Sequence, residues 1–397
     1  LMDKINFFPE NLDVQNKKVI LRLDLNVPIK DKAIEDDTRI VMCLPFIKKL
    51  VKKKAKIIIL SHLGRPRGDK DPELTLIPIY KYLKKSLNTN IFFFMGKIDD
   101  EINDKFSKLN EGEIILIENI RYFKEETSND ENFSKKLASL GDIYINDAFS
   151  CSHRKQSSIY NITKYISKCY AGPLLKKEIE AINLVILNKK EPVTCIIGGS
   201  KISTKINVIL SIIEKVNNLI IVGAMANNFL VQKNIKIGKS LVEKNTKEII
   251  QKINEKAQKN NCEILIPEDC MVGTKMDGGG EVKNFDAIKD DELILDIGPN
   301  TIKKIIKKID ESNTVLWNGP AGYFENQNFS NGTISLANAI SKNTVKKSLI
   351  SVLGGGDTLA AIKKSKNKLS FTHLSTAGGA FLEYLEGKDL PGLSVLK

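Results

Sequence analysis

The sequence contains no arginine after position 154, although it carries 61 lysine and arginine residues in all. Its six arginines are Arg22, Arg39, Arg65, Arg67, Arg121 and Arg154. Arginine offers a planar, permanently charged fork that binds a phosphate or carboxylate through two hydrogen bonds, whereas lysine offers a point charge. This distribution indicates a site for a small, highly anionic ligand, and the alternative is a chance placement of surface arginines.

The sequence also lacks the features of secreted and membrane proteins. No apolar run approaches the roughly 18 residues that a bilayer span requires. The first residues contain no apolar core, so we expect no secretion signal and a cytoplasmic location. The six cysteines show no C-x-x-C spacing, which is typical of reduced, buried thiols rather than of disulfides or zinc ligands.

Length and composition indicate a globular protein with two or three domains. The 397 residues exceed one ordinary core, and the hydrophobic fraction of 42% is usual for a globular protein. The net charge of +13 would also suit a nucleic-acid-binding protein. Because the lysines are spread along predicted helix faces such as 302–308, with few aromatic residues among them, we expect solvated helix faces and no nucleic-acid partner.

Short apolar runs alternate with amphipathic stretches along the chain. Strands are predicted at 19–25, 56–60, 90–94, 113–117, 142–146, 193–197, 219–222, 263–266, 314–317, 349–353 and 369–372. Helices are predicted at 38–54, 76–87, 132–140, 174–187, 203–216, 246–259, 301–309 and 333–341. Near-continuous apolar strands between helices indicate parallel sheets covered on both faces. We therefore predict an α/β fold of two Rossmann-like lobes, each a mostly parallel sheet flanked by helices.

The boundary between the lobes is predicted at residues 172–192. A Gly-Pro pair opens this stretch, and the amphipathic segment that follows is interpreted as a bridging helix with a hinge. The predicted domains are therefore 1–171 and 193–389. In such sheets, ligands bind at the carboxyl ends of the strands. A glycine-rich stretch at 277–283 is predicted to be a hairpin or loop rather than a phosphate site.

In the first lobe, polar residues accompany the predicted strands. The period of two places Arg22, Asp24 and Asn26 on one side of the first strand, where polar groups are costly unless they are used. His62 and Arg65 follow the next strand, where a phosphate would bind, although a lone histidine is usually structural.

Three further arginines are expected at the same edge. Arg121 and Arg154 follow two more strands, and Arg39 lies in the first turn of a helix from which it can point back. Several cations at one edge would repel one another without an anion between them. Arg67 lies in a loop and is interpreted as a surface residue.

The second lobe has glycine-rich turns in place of arginines. The first turn runs through Gly199 to a predicted helix start that carries Lys201 and Lys205. Glycine lets backbone N–H groups approach a phosphate, the helix N-terminus favours anions, and lysine adds charge. The spacing is not that of a Walker A loop, and the absence of G-x-G-x-x-G argues against a dehydrogenase.

A second glycine-rich turn, at 354–358, repeats this pattern. Asp357 is either a helix N-cap or a Mg²⁺ ligand, and two such turns at one edge favour the metal. The strand that contains the only tryptophan, Trp317, is followed by Asn318 and then by Glu325. Glu325 is either an acceptor for ribose hydroxyls or a solvated residue of a turn.

Eight segments are similar to motifs of the phosphoglycerate kinase family, in the family's order. They are RLDLNVP at 22–28, SHLGRP at 61–66, ENIR at 118–121, NDAF with HR at 146–154, GGSKIS at 198–203, WNGPAGYFE at 317–325, GGGDT at 354–358 and STAGGAFLEYLEGKDLPG at 375–392. The chain therefore resembles that family over essentially its full length.

The resemblance implies reversible transfer of the acyl phosphate of 1,3-bisphosphoglycerate to ADP, giving 3-phosphoglycerate and ATP in glycolysis and gluconeogenesis. The implied phosphoglycerate-binding residues are Asp24, Asn26, Arg39, His62, Arg65, Arg121 and Arg154. The implied nucleotide-binding residues are Gly199, Lys201, Lys205, Asn318, Glu325, Gly355, Gly356, Asp357 and Thr358. Asp357 would hold Mg²⁺ as the complex with ADP or ATP, and residues 390–397 would pack back on the first lobe.

The implied mechanism needs no general base, because the acceptor or leaving group is a carboxylate. Catalysis would come from in-line positioning and charge neutralisation by Arg39, Lys201, Lys205 and Mg²⁺. The reacting atoms must meet within about 3–3.5 Å, so we expect hinge closure. We also expect the protein to be a monomer. A kinase of another small phosphorylated acid is the alternative, because an arginine cluster recognises charge and size.

The chain departs from the family pattern at several positions. Residues 222–224 are Val-Gly-Ala where the family usually has glycines, which leaves the purine preference open. Ala321 replaces a frequent methionine, Ala377 interrupts the closing glycine run, and 150–152 differ from the usual residues. None of these changes removes a charged group from the implied chemistry.

Overall fold

The computed structural model describes residues 4–67, 71–365 and 367–397. The elements up to the middle of the chain are β1 (Lys18–Leu23), β2 (Ile29–Lys30), β3 (Ala33–Ile34), α1 (Thr38–Lys52), β4 (Lys56–Leu60), α2 (Ile77–Ser86), β5 (Ile91–Phe94), α3 (Asp100–Ser107), β6 (Ile114–Ile117), α4 (Lys124–Ser128), α5 (Glu131–Ser139), β7 (Ile143–Asp147), β8 (Cys169–Ala171) and α6 (Pro173–Ile186).

The remaining elements are β9 (Val193–Ile197), α7 (Ile206–Ile213), β10 (Asn218–Ile221), α8 (Ala226–Gln232), α9 (Lys247–Lys259), β11 (Glu263–Leu265), β12 (Asp269–Gly273), β13 (Glu281–Asn284), β14 (Leu293–Ile297), α10 (Pro299–Glu311), β15 (Thr314–Asn318), α11 (Asn331–Lys347), β16 (Ile350–Gly354), α12 (Gly356–Lys363), β17 (His373–Ser375), α13 (Gly379–Leu385) and α14 (Pro391–Ser394). Among the described residues, no helix combines the length and the apolar character needed to cross a bilayer.

The chain divides into two compact units. The first comprises Leu1–Ile179 and Asp389–Lys397, and the second comprises Glu180–Lys388. The division falls within α6, and α14 belongs to the first unit. The domain limits and the hinge expected around residues 172–192 stay predictions.

The first unit is built on a six-stranded parallel sheet in the order β5-β6-β4-β1-β7-β8. Ile57 and Ile59 of β4 lie in the same core as Ile47 of α1. Ile20 and Ile58 alternate with these positions and are fully buried as well, so both faces of the sheet are covered. A continuous apolar run is the sequence pattern that such a strand requires.

The second unit contains a six-stranded parallel sheet in the order β11-β10-β9-β15-β16-β17 and a three-stranded antiparallel sheet in the order β13-β12-β14. α10 buries Ile302, Ile305 and Ile309, whose spacing of three and four residues places them on one face. Lys303 and Lys304 on the same helix are exposed, as predicted for this lysine-rich segment.

The predicted α/β fold with two parallel sheets is confirmed, and β4 and β9 have the predicted bounds. The hairpin prediction is also confirmed, because β12 and β13 pair antiparallel on either side of the glycines at 278–280. The strand predicted at 369–372 is wrong. Thr372 exchanges hydrogen bonds with the side chain and backbone of Ser351, each at 3.0 Å, and strand pairing begins only at His373, opposite Val352.

The helix predicted at 203–216 is shorter than expected, because it begins at Ile206. The backbone N–H of Ser203 donates to a carboxylate oxygen of Glu243 at 3.0 Å, and the Ser203 hydroxyl donates to the other oxygen. The segment from Ser203 to Lys205 is therefore a turn, and Lys201 and Lys205 precede the helix.

The C-terminal residues are fixed to the first unit by backbone hydrogen bonds. The N–H of Gly392 donates to the carbonyl oxygen of Ser152 at 2.8 Å, and the N–H of Asn6 donates to that of Leu396 at 2.7 Å. A Cβ atom on Gly392 would lie 2.9 Å from the backbone Cα of Ser152 and 2.7 Å from a methyl group of Ile159. Only glycine fits this contact without a shift of the backbone.

We expect Gly392→Ala to destabilise the protein by about 1–3 kcal/mol, because the added methyl group overpacks a backbone contact. Urea unfolding followed by circular dichroism measures the loss. Gly279→Ala is the matched control, since a Cβ atom there meets nothing within 4 Å. Equal stability of the two variants would contradict the close packing of α14.

Candidate functional site

The first cluster lies at the carboxyl edge of the sheet in the first unit. β6, β4, β1 and β7 are neighbours and run parallel, so their carboxyl ends meet at one edge. The segments after these four strands contain the predicted residues Asp24, Asn26, His62, Arg65, Arg121 and Arg154. Arg39 is added by the first turn of α1.

Asp24 and Asn26 shape the loop after β1. The strand ends at Leu23, and Asp24 Oδ1 accepts a hydrogen bond from the N–H of Asn26 at 3.0 Å, which closes a turn. The prediction that Asp24 and Asn26 continue the strand beyond Arg22 is therefore wrong. Asn26 Oδ1 accepts from the N–H of Gly64 at 2.9 Å, so this side chain ties together the loops after β1 and β4.

Arg39 is held by the same loop. Its Nη1 lies 3.0 Å from Asp24 Oδ2 and donates to the carbonyl oxygen of Asn26 at 2.8 Å. Asp24 Oδ2 also accepts from the hydroxyl of Ser150 at 2.5 Å. Ser150 was not predicted as a site residue, because nothing in the sequence relates it to Asp24. These contacts give the Arg39 guanidinium a defined orientation.

His62 lies among the arginines and is only 4% exposed. Burial holds the pKa of His62 well below its usual value of 6.5, and the charges of Arg22, Arg121, Arg39 and Arg154 lower it further. The imidazole is therefore uncharged near neutral pH. All four guanidinium groups lie near enough to act on one side chain, so these four arginines, which are scattered in sequence, are gathered in the folded unit.

The remaining arginines differ in exposure. Arg121 is partly buried, and its Nη1 donates to the carbonyl oxygen of Gly64 at 2.7 Å. Its Nε is buried and has no hydrogen-bond partner within the described part of the chain. Arg65 and Arg67 are both exposed, so exposure does not separate the predicted ligand from the predicted surface residue.

Arg22 was not predicted as a ligand and is fully buried in β1. Its guanidinium donates to the hydroxyl of Ser158 at 2.9 Å and to the carbonyl oxygen of Leu23 at 2.5 Å. Its Nη2 lies 3.2 Å from Nδ1 of His62. The sequence does contain a sign of this role, because Arg22 lies inside an apolar strand. A buried charge is tolerated there only when it is hydrogen-bonded.

The second cluster lies in the second unit, at the carboxyl edge of its parallel sheet. β9, β15 and β16 are neighbours there, and the turns after them line a cavity of about 170 Å³. The lining residues are Gly199, Ser200, Lys201, Thr204, Lys205, Asn318, Gly319, Pro320, Gly355, Gly356, Asp357 and Thr358. Of the predicted nucleotide-binding residues, only Glu325 is not among them.

The turns of this cluster require glycine. The φ angle is +126° at Gly199 and +104° at Gly355, a region that other residues rarely adopt. A Cβ atom on Gly198 would lie 2.2 Å from the carbonyl oxygen of Pro320. The turns after β9 and β15 therefore approach each other more closely than side chains would allow.

Lys205 is half-buried and fixed by oxygen atoms on both turns. Its Nζ donates to the carbonyl oxygen of Gly198 at 2.7 Å and to Asn318 Oδ1 at 2.7 Å. Burial lowers the pKa of Lys205 to about 8. An anion in the cavity would stabilise the protonated form and raise this pKa. Lys201 is exposed at the rim of the same cavity.

Asn318 and Thr358 hold the turns after β9, β15 and β16 in fixed positions relative to one another. Asn318 Nδ2 donates to the carbonyl oxygen of Gly354 at 2.8 Å, while its Oδ1 accepts from Lys205. The Thr358 hydroxyl donates to the same carbonyl oxygen at 3.0 Å and accepts from the N–H of Gly319 at 2.7 Å. Both side chains are thus occupied by contacts within the protein, and they position the backbone that lines the cavity.

Asp357 lies exposed in the first turn of α12, whose N-cap is Gly355. The alternative that Asp357 is the N-cap is therefore wrong. Within the described residues, no group of three or more His, Cys, Asp or Glu side chains is arranged to hold a metal ion. A single carboxylate beside a cavity nevertheless suits Mg²⁺, which proteins often bind through one or two carboxylates together with substrate phosphates.

Glu325 is exposed and does not line the cavity. Its carbonyl oxygen accepts a hydrogen bond from Nζ of Lys364 at 3.1 Å, and that of Phe324 accepts from the same atom at 3.0 Å. The end of α12 therefore anchors the segment that carries Glu325.

Comparisons with known proteins agree with these features. The family model for phosphoglycerate kinase matches residues 10–388. The chain is 45% identical over 390 residues to the phosphoglycerate kinase of Wolbachia pipientis wMel, with 98% of each chain covered. It is 42% identical over 391 residues to that of Finegoldia magna, again with 98% of each chain covered.

Solved structures give the same result. The phosphoglycerate kinase of Coxiella burnetii is 41% identical and has a TM-score of 0.86, with 97% of each chain covered. That of Pyrococcus horikoshii OT3 is 28% identical and has a TM-score of 0.83, with 98% of each chain covered. The fold and these relatives define the chain as a phosphotransferase. More specifically, it belongs to the phosphoglycerate kinase family, whose members act in glycolysis.

Proposed function

We propose that this kinase transfers the acyl phosphate of 1,3-bisphosphoglycerate to ADP in one in-line step, with the acid bound at the arginine cluster and the nucleotide at the glycine-lined cavity. The observation that carries the proposal is the chemical difference between the two clusters. One gathers guanidinium groups around an uncharged histidine, and the other gathers backbone turns, two lysines and a carboxylate.

In the first cluster, we assign Arg39 to the transferring phosphoryl group and His62, Arg65, Arg121 and Arg154 to the remote phosphate. Asp24 supports this assignment of Arg39, because their ion pair fixes the guanidinium before substrate binds. Asn26 contributes by holding the loops after β1 and β4 together. The Nε of Arg121 has no hydrogen-bond partner among the described residues, and it is a buried donor that a phosphate oxygen would satisfy.

In the second cluster, the N–H groups of Gly199, Gly355 and Gly356 would bind nucleotide phosphates, and Lys201 and Lys205 would neutralise the charge that moves during transfer. Asn318 and Thr358 would act by positioning these groups. Glu325 as a ribose ligand is supported by the family resemblance alone.

Mg²⁺ bound with the nucleotide, a monomeric state and a cytoplasmic location complete the proposal. Asp357 would be the protein ligand of Mg²⁺, which would shield the phosphate charges. These three points also rest on the family resemblance.

ATP formation from ADP and 1,3-bisphosphoglycerate tests the proposal. We expect Mg²⁺-dependent activity, and Asp357→Asn should raise the KM for the nucleotide about tenfold or more while leaving the KM for the acid within about twofold. Asp277→Asn, at an exposed position between β12 and β13, is the control. If Asp357→Asn raised both KM values and lowered the melting temperature, Asp357 would be a residue that stabilises α12.

Arg39→Lys should lower kcat about 100-fold, because a point charge cannot reproduce the fork at the transferring group. Steady-state kinetics at saturating substrates measures the effect. Arg67→Lys is the matched control and should be nearly silent. A near-normal kcat for Arg39→Lys would remove Arg39 from the reacting group, and a large loss for Arg67→Lys would show that its loop belongs to the site.

Nucleotide affinity should fall as pH rises through the pKa of Lys205, about 8, because only the protonated amine attracts phosphate. The Kd for ADP, measured by calorimetry, should be about tenfold higher at pH 9 than at pH 7, since one pH unit above a pKa leaves about a tenth of the group protonated. Lys205→Arg, which stays charged, should remove this dependence. Equal Kd values for the unmodified enzyme at both pH values would contradict the role of Lys205.

A further inference from the structure

A continuous chain of buried hydrogen bonds runs from Glu126 to His62. Glu126, Ser158 and Arg22 are each 0% exposed. Glu126 accepts from the hydroxyl of Ser158 at 2.6 Å through Oε1 and from the N–H of Ser158 at 2.8 Å through Oε2. The Ser158 hydroxyl in turn accepts from Arg22 Nε at 2.9 Å, and Arg22 Nη2 lies 3.2 Å from His62 Nδ1.

The direction of these bonds is fixed by chemistry. Arginine has donors only, so the Ser158 hydroxyl must accept from Arg22 and its single proton must go to the Glu126 carboxylate. For the same reason, Nδ1 of His62 must offer its lone pair to Arg22. The Sγ of Cys151, 3.7 Å from Nδ1, is compatible because a thiol is also a weak donor.

The consequence is a defined tautomer of His62. A neutral imidazole whose Nδ1 accepts a hydrogen bond carries its proton on Nε2. Within the described part of the chain, Nδ1 takes part in every hydrogen bond of His62, and Nε2 takes part in none. Nε2–H is therefore the group that His62 can offer to a ligand.

The charges around His62 keep it neutral. Positive groups face it from β1, from α1 and from the segments after β6 and β7: they are Arg22, Arg39, Arg121 and Arg154. The carboxylates nearby are already used, since Asp24 is paired with Arg39 and Glu126 is bonded to Ser158. Cys151 is buried, and burial raises the pKa of its thiol, so it supplies no negative charge near neutral pH.

We propose that Arg22, Ser158 and Glu126 are positioning residues that hold His62 as an uncharged donor through Nε2, so that it recognises the phosphate of the substrate by a hydrogen bond and not as a cation. This inference rests on the proposed role of the cluster in phosphoglycerate binding. An uncharged donor adds recognition without adding to the repulsion among the guanidinium groups. Its contribution to affinity is also constant at pH values where an ordinary histidine titrates.

Nitrogen-15 NMR of the unmodified enzyme tests the tautomer directly. The chain has only three histidines, so the spectrum is simple, and His62→Gln identifies the signal of His62. We expect protonated Nε2 and unprotonated Nδ1 throughout the range around pH 6.5 in which an ordinary histidine titrates. Protonation of Nδ1, or formation of the imidazolium within this range, would overturn the proposal.

Ser158→Ala tests the positioning role, because it removes the hydroxyl that joins Arg22 to Glu126. We expect the KM for 3-phosphoglycerate to rise about fivefold, the value of one lost hydrogen bond, with kcat within about twofold and with the Nδ1–H tautomer of His62 now detectable. Ser157→Ala is the matched control: Ser157 is equally buried, but its hydroxyl donates to the carbonyl oxygen of Glu125 at 2.8 Å, outside this chain of bonds.

The two variants separate positioning from mere stability. If Ser157→Ala and Ser158→Ala lowered the melting temperature equally and neither changed the tautomer or the KM, the proposal would be contradicted. If Ser158→Ala failed to fold, the spectrum of the unmodified enzyme would still decide the question.

Addition of 3-phosphoglycerate distinguishes this inference from the assignment of the site. A ligand-induced shift of His62 together with an Nδ1–H tautomer would overturn the positioning role while leaving the site in place. An unchanged His62 signal at saturating ligand would overturn both.

Discussion

Guanidinium groups gathered at one edge of a sheet repel one another, and the first unit of this chain is organised around that constraint. The parallel order β6-β4-β1-β7 brings the arginine-bearing segments together whether or not a ligand is present. The protein offsets part of the charge itself through Asp24 beside Arg39, and it bonds Arg22 to Glu126 by way of Ser158. A buried, uncharged His62 avoids a further cation. The remaining positive charge is available to an anionic ligand.

The cavity of the second unit is lined by backbone turns in place of guanidinium groups. Its turns approach one another so closely that Gly198 has no room for a side chain, and two buried side chains, Asn318 and Thr358, hold the turns in register. The backbone is thereby pre-organised, and little conformational entropy remains to be lost on binding. Lys205 is kept partly desolvated among carbonyl oxygens, which makes its charge responsive to an incoming anion.

Much of this arrangement follows from local sequence. The strands β4 and β9 are mostly apolar runs, and their ends are marked by Ser61 after β4 and by Gly198 after β9, so both could be placed to the residue. The positions of the arginines and of the glycine turns followed from the same alternation, because the carboxyl ends of parallel strands share an edge.

The end of β1 is set by a local turn, in which the N–H of Asn26 donates to Asp24. The remaining features depend on partners that are distant in sequence. The start of α7 is set by the hydrogen bonds of Ser203 to Glu243. β17 begins only at His373, because Thr372 and Ser351 bond to each other through their side chains. The link of Arg22 to Ser158 and Glu126 joins residues more than 100 positions apart, and no local pattern encodes it.

The most direct test of this account is NMR of the arginine Nε–H groups and the glycine amides during separate additions of 3-phosphoglycerate and ADP. The account predicts that 3-phosphoglycerate shifts the signals of Arg39, Arg121 and Arg154 and leaves those of Gly199 and Gly355 unchanged, whereas ADP does the reverse. Arginine signals that stay unchanged at saturating 3-phosphoglycerate, or glycine signals that respond to it, would contradict the division of substrates between the two units.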